Sequence, residues 1–240
     1  MAGGLGAKHE RVMVVVAHPD DAEFSAGGTV AALSQAGTEV NYVICTDGSQ
    51  GGEDPKQKNK DLAAIRKKEQ RAAARVLGVR HVEFLGFRDG HLAPNLKLRQ
   101  AIVAMIRKHK PEVVITHNPV RMLEVPLPAS HPDHLAVGEA TFAAVYPDAR
   151  NPRAWRELLK EGLEPHVVKE VWVPSFGDGD HLVDISLTLE AKLQAIAQHK
   201  SQVAKPGEEW DYEKWMRARH AELGKKAGYA YAEGFKRIVV

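Results

Sequence analysis

The chain has 240 residues, of which 44% are hydrophobic and 27% charged, a composition typical of a globular α/β protein. A formal net charge of +2 excludes the strongly basic surface of a nucleic-acid-binding protein. The single cysteine, Cys45, excludes an internal disulfide, and no apolar run approaches the roughly 20 residues that cross a bilayer, so we expect a cytoplasmic protein without a membrane span.

Strands and helices alternate along the first half of the chain. Short β-branched runs predict strands at 12–17, 39–46, 81–86 and 112–119, and helical periodicity predicts helices at 29–37, 61–77 and 95–110. This alternation is typical of a Rossmann-like, mostly parallel sheet flanked by helices. We therefore predict a single α/β domain over 1–240.

The C-terminal third is less regular. It begins with a Pro-rich loop and a helix at about 135–145, followed by a further apolar segment. A last short strand is predicted at 181–186, and helices at 188–203 and over much of 208–226. The densest basic run, RKKEQR at 66–71, contains Glu69 and precedes an alanine-rich stretch, which favours a solvated helix face over an anion-binding patch.

Polar residues follow three of the predicted strands. The first strand runs into His18-Pro19-Asp20-Asp21, the second into Thr46-Asp47-Gly48, and the fourth into Thr116-His117-Asn118-Pro119. The loop after the fourth strand carries Ser130-His131-Pro132-Asp133-His134. Because ligands bind beyond the carboxyl ends of parallel strands, we expect the two His/Asp clusters to meet if strands one and four are neighbours.

The residue types in these clusters are those of a metal site. A catalytic zinc takes three protein ligands through nitrogen or oxygen and keeps a fourth position open. HPDD and HPDH together supply more histidines and aspartates than one ion needs, and hydrolysis requires a base and an oxyanion donor beside the ion. Each motif alone is also compatible with helix capping and a partly buried histidine, but two near-identical motifs at strand ends favour the metal.

The order of motifs resembles a known family. AHPDDAE followed by GG, then TDG, R-x-x-E-Q-x-x-A leading to LG, RDG and HPDH look like the PIG-L/LmbE-like family of zinc-dependent N-acetylglucosaminide deacetylases. The segment 184–202 resembles the C-terminal part of that family, so the similarity covers about 11–203. The resemblance implies a metal-dependent amide hydrolase that removes the acetyl group from an N-acetylated amino sugar or its conjugate.

The resemblance also implies roles for the residues of the two motifs. Asp20 corresponds to the general base that activates water, and His131 to the residue that stabilises the oxyanion. Asp133 corresponds to the carboxylate that orients His131 and keeps it cationic. The implied cofactor is Zn²⁺, although a two-histidine, one-aspartate set also suits Fe²⁺. The implied metal ligands are His18, Asp21 and His134.

Further residues are candidates for contact with the sugar. Arg66 matches an arginine that touches substrate in similar proteins, with a surface helix cation as its alternative. Polar residues at strand ends are equally compatible with a turn-forming role. These residues are Asp47, Asp89 and Asn118. His199 is expected to be structural or to stand behind the site, with lining of the pocket as the alternative. Similar proteins often form trimers or hexamers, which implies a homo-oligomer.

Two alternative functions remain compatible with the sequence. The GGT segment and the glycines at 48, 51 and 52 could cradle a phosphate in a nucleotide- or sugar-phosphate-binding module without hydrolysis. However, the chain has neither a G-x-G-x-x-G motif nor a P-loop lysine motif. A metal phosphoesterase is the second alternative, and enzymes of that class usually require two ions.

Overall fold

A computed structural model of the chain describes residues 9–123, 125–177, 179–203 and 211–240. Seven strands form one sheet: β1 Arg11–Val16, β2 Glu39–Thr46, β3 His81–Phe87, β4 Val113–Thr116, β5 Glu170–Pro174, β6 His181–Asp184 and β7 Ala232–Val239. Their order is β3-β2-β1-β4-β5-β7-β6, and β7 runs antiparallel to the other six strands. The predicted mostly parallel α/β fold is confirmed.

Helices cover both faces of this sheet. The α-helices are α1 Asp21–Gln35, α2 Asn59–Val76, α3 Leu96–His109, α4 Pro132–Ala143, α5 Arg156–Lys160, α6 Leu189–Ile196, α7 Lys200–Val203 and α8 Tyr212–Ala227. A short 3₁₀ helix at Leu127–Ser130 precedes α4, and a π-helical segment at Ala144–Ala149 follows it. No helix of the described ranges is both long enough and apolar enough to cross a membrane.

The central strand β1 is buried on both faces, which explains its unbroken apolar sequence. Val12, Val14 and Val16 belong to the core under α1 and α6, while Met13 and Val15 belong to the core under α3 and α4. Strands β1 and β4 are hydrogen-bonded neighbours, as the meeting of the two motifs requires. The ends of β1 and β4 therefore open onto one edge of the sheet.

Two predicted helices differ from the structure. Helix α1 begins at Asp21 and not near Thr29, so the glycines lie inside the helix. A Cβ on Gly28 would lie 2.8 Å from the Ile185 side chain, which shows that close packing requires glycine there. The predicted helix at 188–203 is divided into α6 and α7. The start of the predicted helix at 208–226 lies outside the described residues.

The last strand, β7, is absent from the sequence prediction. It inserts between β5 and β6 and pairs with both, so the strand predicted at 181–186 forms an edge of the sheet. The partners of β7 are far away in the sequence, and its second half, KRIV, is largely solvent-exposed. Neither feature gives a local periodic signal, because strand pairing depends on non-local neighbours.

The RKKEQR run lies in the middle of α2. A solvated face is confirmed for Lys67, Lys68 and Arg71, which are exposed, but the expectation is wrong for Arg66 and Gln70, which are buried. These two residues are four positions apart and therefore share one face of the helix. That face is turned toward the first motif, with which both side chains form hydrogen bonds.

Candidate active site

Three side chains from the two motifs form a compact triangle of ligand atoms. Nδ1 of His18, at the end of β1, lies 3.2 Å from an oxygen of Asp21, the first residue of α1. Nε2 of His134, in the first turn of α4, lies 3.1 Å from the other Asp21 oxygen and 3.3 Å from His18 Nδ1. Residues far apart in the sequence are thus brought together as the strand order predicted.

The dimensions of this triangle fit a metal ion. Ligands at 2.0–2.2 Å from a tetrahedral zinc are about 3.4 Å from one another, close to the spacing of the three atoms. Burial opposes a charge on His18, but Asp21, Asp133 and Asp89 outweigh it and raise the pKa of His18 to about 12. The cluster therefore has a surplus of negative charge that a cation would neutralise. His18, Asp21 and His134 could hold a metal ion.

Two carboxylates orient the His18 ring from behind. His18 Nε2 lies 3.1 Å from an oxygen of Asp89 and 3.3 Å from an oxygen of Asp133. A carboxylate can only accept, so Nε2 carries the proton and Nδ1 is left for the metal, the arrangement common in histidine–metal sites. Asp133 is held in turn by the backbone N–H groups of Gly90 and Leu92, at 2.8 and 3.1 Å.

A second group of potential ligands shares His18 but is engaged in hydrogen bonds. It consists of His18, His131 and Asp133. The Asp133 oxygens accept from two backbone N–H groups, and His131 Nδ1 accepts the N–H of Asp133 at 3.1 Å. His131 Nδ1 and both Asp133 oxygens are thus already engaged in hydrogen bonds that order the site, and among the described residues the His18–Asp21–His134 triangle is the better place for an ion.

Asp20 lies beside the triangle in an unusual backbone conformation. Its φ of 103° and ψ of −31° are rare for a residue with a Cβ. Burial raises the pKa of Asp20 to about 6, although Arg66 lowers it and Asp21 raises it further. A carboxylate with a pKa close to neutrality is suited to take up and release protons.

Arg66 connects Asp20 to two neighbouring loops. Its guanidinium donates to the carbonyl oxygens of Pro19 at 2.6 Å and Gly48 at 2.9 Å, and to Asp20 Oδ2 at 3.2 Å. The residue is only 3% exposed, so the alternative of a surface helix cation is excluded. Its three bonds show that it fixes the first motif against the loop after β2.

The structure differs from the expected pairing of Asp133 with His131. The Asp133 carboxylate is turned toward His18, and only the Asp133 backbone N–H reaches His131. Burial, together with the nearby His18 and His134, lowers the pKa of His131. The physical reason is that His131 caps α4 with its own Nδ1, which makes it neutral and leaves the proton on Nε2.

His117 is a site residue to which the sequence analysis assigned no role. Its ring stacks on that of His134, with centroids 4.0 Å apart and planes inclined by 6°. Its Nε2 accepts the backbone N–H of Ala17 at 3.1 Å, and burial lowers its pKa to about 4. His117 is thus a neutral ring that packs against His134. Its position at the end of β4, directly before Asn118, is the signal that could have identified it.

A cleft of about 440 Å³ opens over the triangle. It is lined by Asp20, Arg66, Asp89 and His131 and also by Gln50, which the sequence did not single out. The Gln50 amide donates to the Asp89 carbonyl oxygen and so joins the loops after β2 and β3. The cleft brings together most of the predicted site residues.

Asp47 and Asn118 lie outside the lining of this cleft. Asp47 accepts the backbone N–H groups of Ser49 and Asp89, and Asn118 accepts that of Val120. These are the contacts of turn-forming residues, and Asn118 borders a neighbouring cavity instead. Their contact with substrate stays a prediction.

Comparisons with known proteins agree with one another on the class of enzyme that the chain resembles. The chain is 34% identical over 228 residues to the diacetylchitobiose deacetylase of Thermococcus kodakarensis, covering 95% of this chain and 82% of the relative. It is 30% identical over 244 residues to the 1D-myo-inositol 2-acetamido-2-deoxy-alpha-D-glucopyranoside deacetylase of Rhodococcus jostii, covering 80% of this chain and 82% of the relative.

A solved structure agrees with these relatives. The fold superposes on N,N'-diacetylchitobiose deacetylase from Pyrococcus horikoshii in complex with its inhibitor MPG, with a TM-score of 0.87 and 33% identity, covering 96% of this chain and 84% of that chain. The sequence profile of PIG-L, described as GlcNAc-PI de-N-acetylase, matches residues 13–145, more than half of the chain. The resemblance seen in the motifs is thereby confirmed, and the chain belongs to the PIG-L family.

Proposed function

We propose that the protein is a zinc-dependent deacetylase that hydrolyses the acetamide of an N-acetylglucosamine-type sugar to a free amine and acetate. The named relatives are deacetylases of such compounds, so the protein is a hydrolase acting on an amide bond and not a phosphate-binding module. The observation that carries the proposal is the ligand triangle in the same cleft as Asp20 and His131.

His18, Asp21 and His134 would hold the ion, with Fe²⁺ as an alternative to Zn²⁺. When bound, such an ion supplies Lewis acidity, which polarises the amide carbonyl and makes water nucleophilic near neutral pH. Asp89 and Asp133 keep the His18 ring in the tautomer that this binding requires. Among the described residues the two candidate ligand groups share His18, which supports one ion per chain and is less suited to two-ion phosphoester cleavage.

Asp20 acts as the general base. Its carboxylate lines the cleft beside the ligands, where it can take a proton from the attacking water and pass it to the departing amine. The water contributes its hydroxyl to the acetyl carbon, the C–N bond breaks, and the amine leaves with the transferred proton. Arg66 holds the carboxylate at 3.2 Å and favours its ionised form.

His131 stabilises the charge that develops on the carbonyl oxygen. Because its Nδ1 accepts the Asp133 N–H, the neutral ring keeps a donor at Nε2. A neutral donor in a partly buried cleft is suited to an oxyanion. Asp133 acts through the capping of α4 and through His18, and we class it as a positioning residue.

The substrate is a small N-acetylated sugar. Arg66 and Asp89 line the cleft and are the better candidates for contact with sugar hydroxyls, whereas Asp47 and Asn118 would act through loop shape. The relatives are named for diacetylchitobiose and for an inositol 2-acetamido-2-deoxy-glucopyranoside, so we expect the substrate to be a disaccharide or a conjugate. The homo-oligomer implied by the resemblance stays a prediction.

A screen for free amine tests this function. The zinc-loaded protein is incubated with N-acetylglucosamine, N,N'-diacetylchitobiose and N-acetylglucosaminyl conjugates of inositol and malate, and amine and acetate are both measured. We expect equimolar release of the two products from at least one compound, and loss of release in His134→Ala. Release of phosphate from sugar phosphates, with no amine from any acetamide, would contradict the proposal.

A further inference from the structure

The backbone N–H of Asp20 is bound by a side chain that does not itself line the cleft. Asp20 has positive φ without being glycine, and such conformations persist only when surrounding contacts impose them. Its N–H donates to Oε1 of Gln70 at 2.9 Å. Gln70 is fully buried and is not among the residues that line the cleft, so it reaches the reaction only through Asp20.

The Gln70 amide is oriented from its other end. Its Nε2 donates to Oε1 of Glu23 at 2.9 Å. A carboxylate can only accept, so Glu23 fixes the amide nitrogen on its own side and turns the amide oxygen toward the Asp20 N–H. If the Gln70 amide were rotated, its NH₂ group would face the N–H of Asp20, and two donors would oppose each other.

Glu23 is oriented in turn by His199. Its second oxygen, Oε2, lies 3.1 Å from Nε2 of His199, and both side chains are fully buried. The imidazole must therefore donate to the carboxylate. A buried carboxylate is tolerated only when it is paired and hydrogen-bonded, which the two contacts on Glu23 provide. The result is a chain of directed hydrogen bonds from α6–α7 through α1 and α2 to the first motif.

We propose that Gln70, Glu23 and His199 form a buried positioning relay for the general base, Asp20. The relay fixes the N–H of Asp20 and Arg66 fixes its carboxylate, while the Asp20 carbonyl oxygen accepts from the first turn of α1. The proposal rests on the role assigned to Asp20 above. None of the three relay residues touches the ligand triangle, so metal binding should not depend on them.

The first test removes the contact to Asp20. In zinc-loaded Gln70→Ala we expect kcat to fall about 10–100-fold, the effect of misplacing a catalytic group, with KM within about threefold of wild type. Zinc content should be unchanged. Lys68→Ala is the control, because Lys68 lies on the exposed face of the same helix. Equal losses of kcat in both variants would overturn the proposal.

A reciprocal exchange separates positioning from folding. Gln70→Glu alone and Glu23→Gln alone each break the donor–acceptor order, whereas the double variant restores it: the new carboxylate accepts from Asp20 and from residue 23, whose amide oxygen accepts from His199. We expect kcat of the double variant to exceed that of both single variants. A double variant slower than either single one would contradict the relay.

A double-mutant cycle shows whether Gln70 acts through Asp20. In the Asp20→Asn background the base is already lost, so adding Gln70→Ala should change kcat less than about threefold. A further loss equal to that seen in the wild-type background would assign Gln70 an independent structural effect and overturn the proposal.

Amide hydrogen exchange gives a readout that does not depend on turnover. The Asp20 N–H should exchange faster in Gln70→Ala than in wild type and Lys68→Ala. Unchanged exchange would overturn the relay even if the enzyme deacetylates sugars. Faster exchange in a protein that hydrolyses no acetamide would support the relay and contradict the proposed function instead.

Discussion

Replacement of Arg66 by methionine tests how the base is kept ionised. Methionine retains the apolar stem but removes the guanidinium that lies 3.2 Å from Asp20 Oδ2. Burial raises the pKa of Asp20 to about 6, and Arg66 opposes that rise. Loss of Arg66 therefore raises the pKa further, so a larger fraction of Asp20 is protonated at neutral pH and the acid limb of the kcat profile moves to higher pH.

The size of this shift follows from the burial of the pair. The Arg66 and Asp20 side chains are 4% and 15% exposed, so solvent screens their interaction only partly. An arginine beside an aspartate typically lowers the pKa by about 1–3 units, and we expect the acid limb to move upward by about that amount. Arg66→Lys keeps the charge and loses the planar fork, so its acid limb should lie between those of wild type and Arg66→Met.

The assay is kcat measured from pH 5 to 9 with zinc content determined for each variant. Arg71→Met is the control, because it removes the same charge from the exposed face of the same helix. We expect its profile to coincide with that of wild type. An acid limb that does not move in Arg66→Met, in a protein with full zinc content, would refute the assignment of that limb to Asp20.

Three further predictions concern stability and metal binding. Hydrogen bonding to Arg237 lowers the pKa of Glu170 to about 2, so this contact stabilises the fold above about pH 4.5 and the stabilisation is lost as pH falls toward 2. Because Arg237 is 44% exposed, Glu170→Gln should lower the free energy of unfolding in urea by only about 0.5–1 kcal/mol at pH 7 and by less at pH 3, and an equal loss at both would contradict this. Gly138→Ala would place a Cβ 2.7 Å from the His117 carbonyl oxygen, and we expect a loss of about 1–3 kcal/mol in the same assay, whereas a gain would refute the contact. His134→Ala should lose most of the bound zinc in dialysis against a chelator, and full retention would exclude His134 as a ligand.

The parallel strands β1 to β4 and the meeting of the two His/Asp motifs could be predicted, because the sequence patterns that indicate them are local. The apolar run of β1 requires burial on both faces, and the motif that follows it has no role in a core. The neighbouring strand β4 then brings HPDH to the same edge, since the carboxyl ends of parallel strands lie together. Residue types and strand order placed a candidate metal site at this edge, and the family resemblance then singled out His18, Asp21 and His134 as its ligands.

The support behind the site depends on contacts between distant segments. Glu23 and His199 are separated by 176 residues, and Gln70 lies in a run that its lysines and arginines mark as solvated. The apolar periodicity of α2 indicated that one face of the helix turns inward, but it did not place Arg66 or Gln70 on that face. The partner of the Asp133 carboxylate could not be predicted from the sequence either, because whether it faces His131 or His18 depends on the direction of its side chain.

Asp20→Asn, assayed together for bound zinc and for free-amine release, tests the central claim most directly. The amide is nearly isosteric with the carboxylate but cannot accept a proton from water. We predict one zinc per chain, as in wild type, and a fall in kcat of about 10²–10⁴. A variant that loses its zinc would make Asp20 a metal ligand, and a variant that keeps both zinc and wild-type kcat would show that the base lies elsewhere.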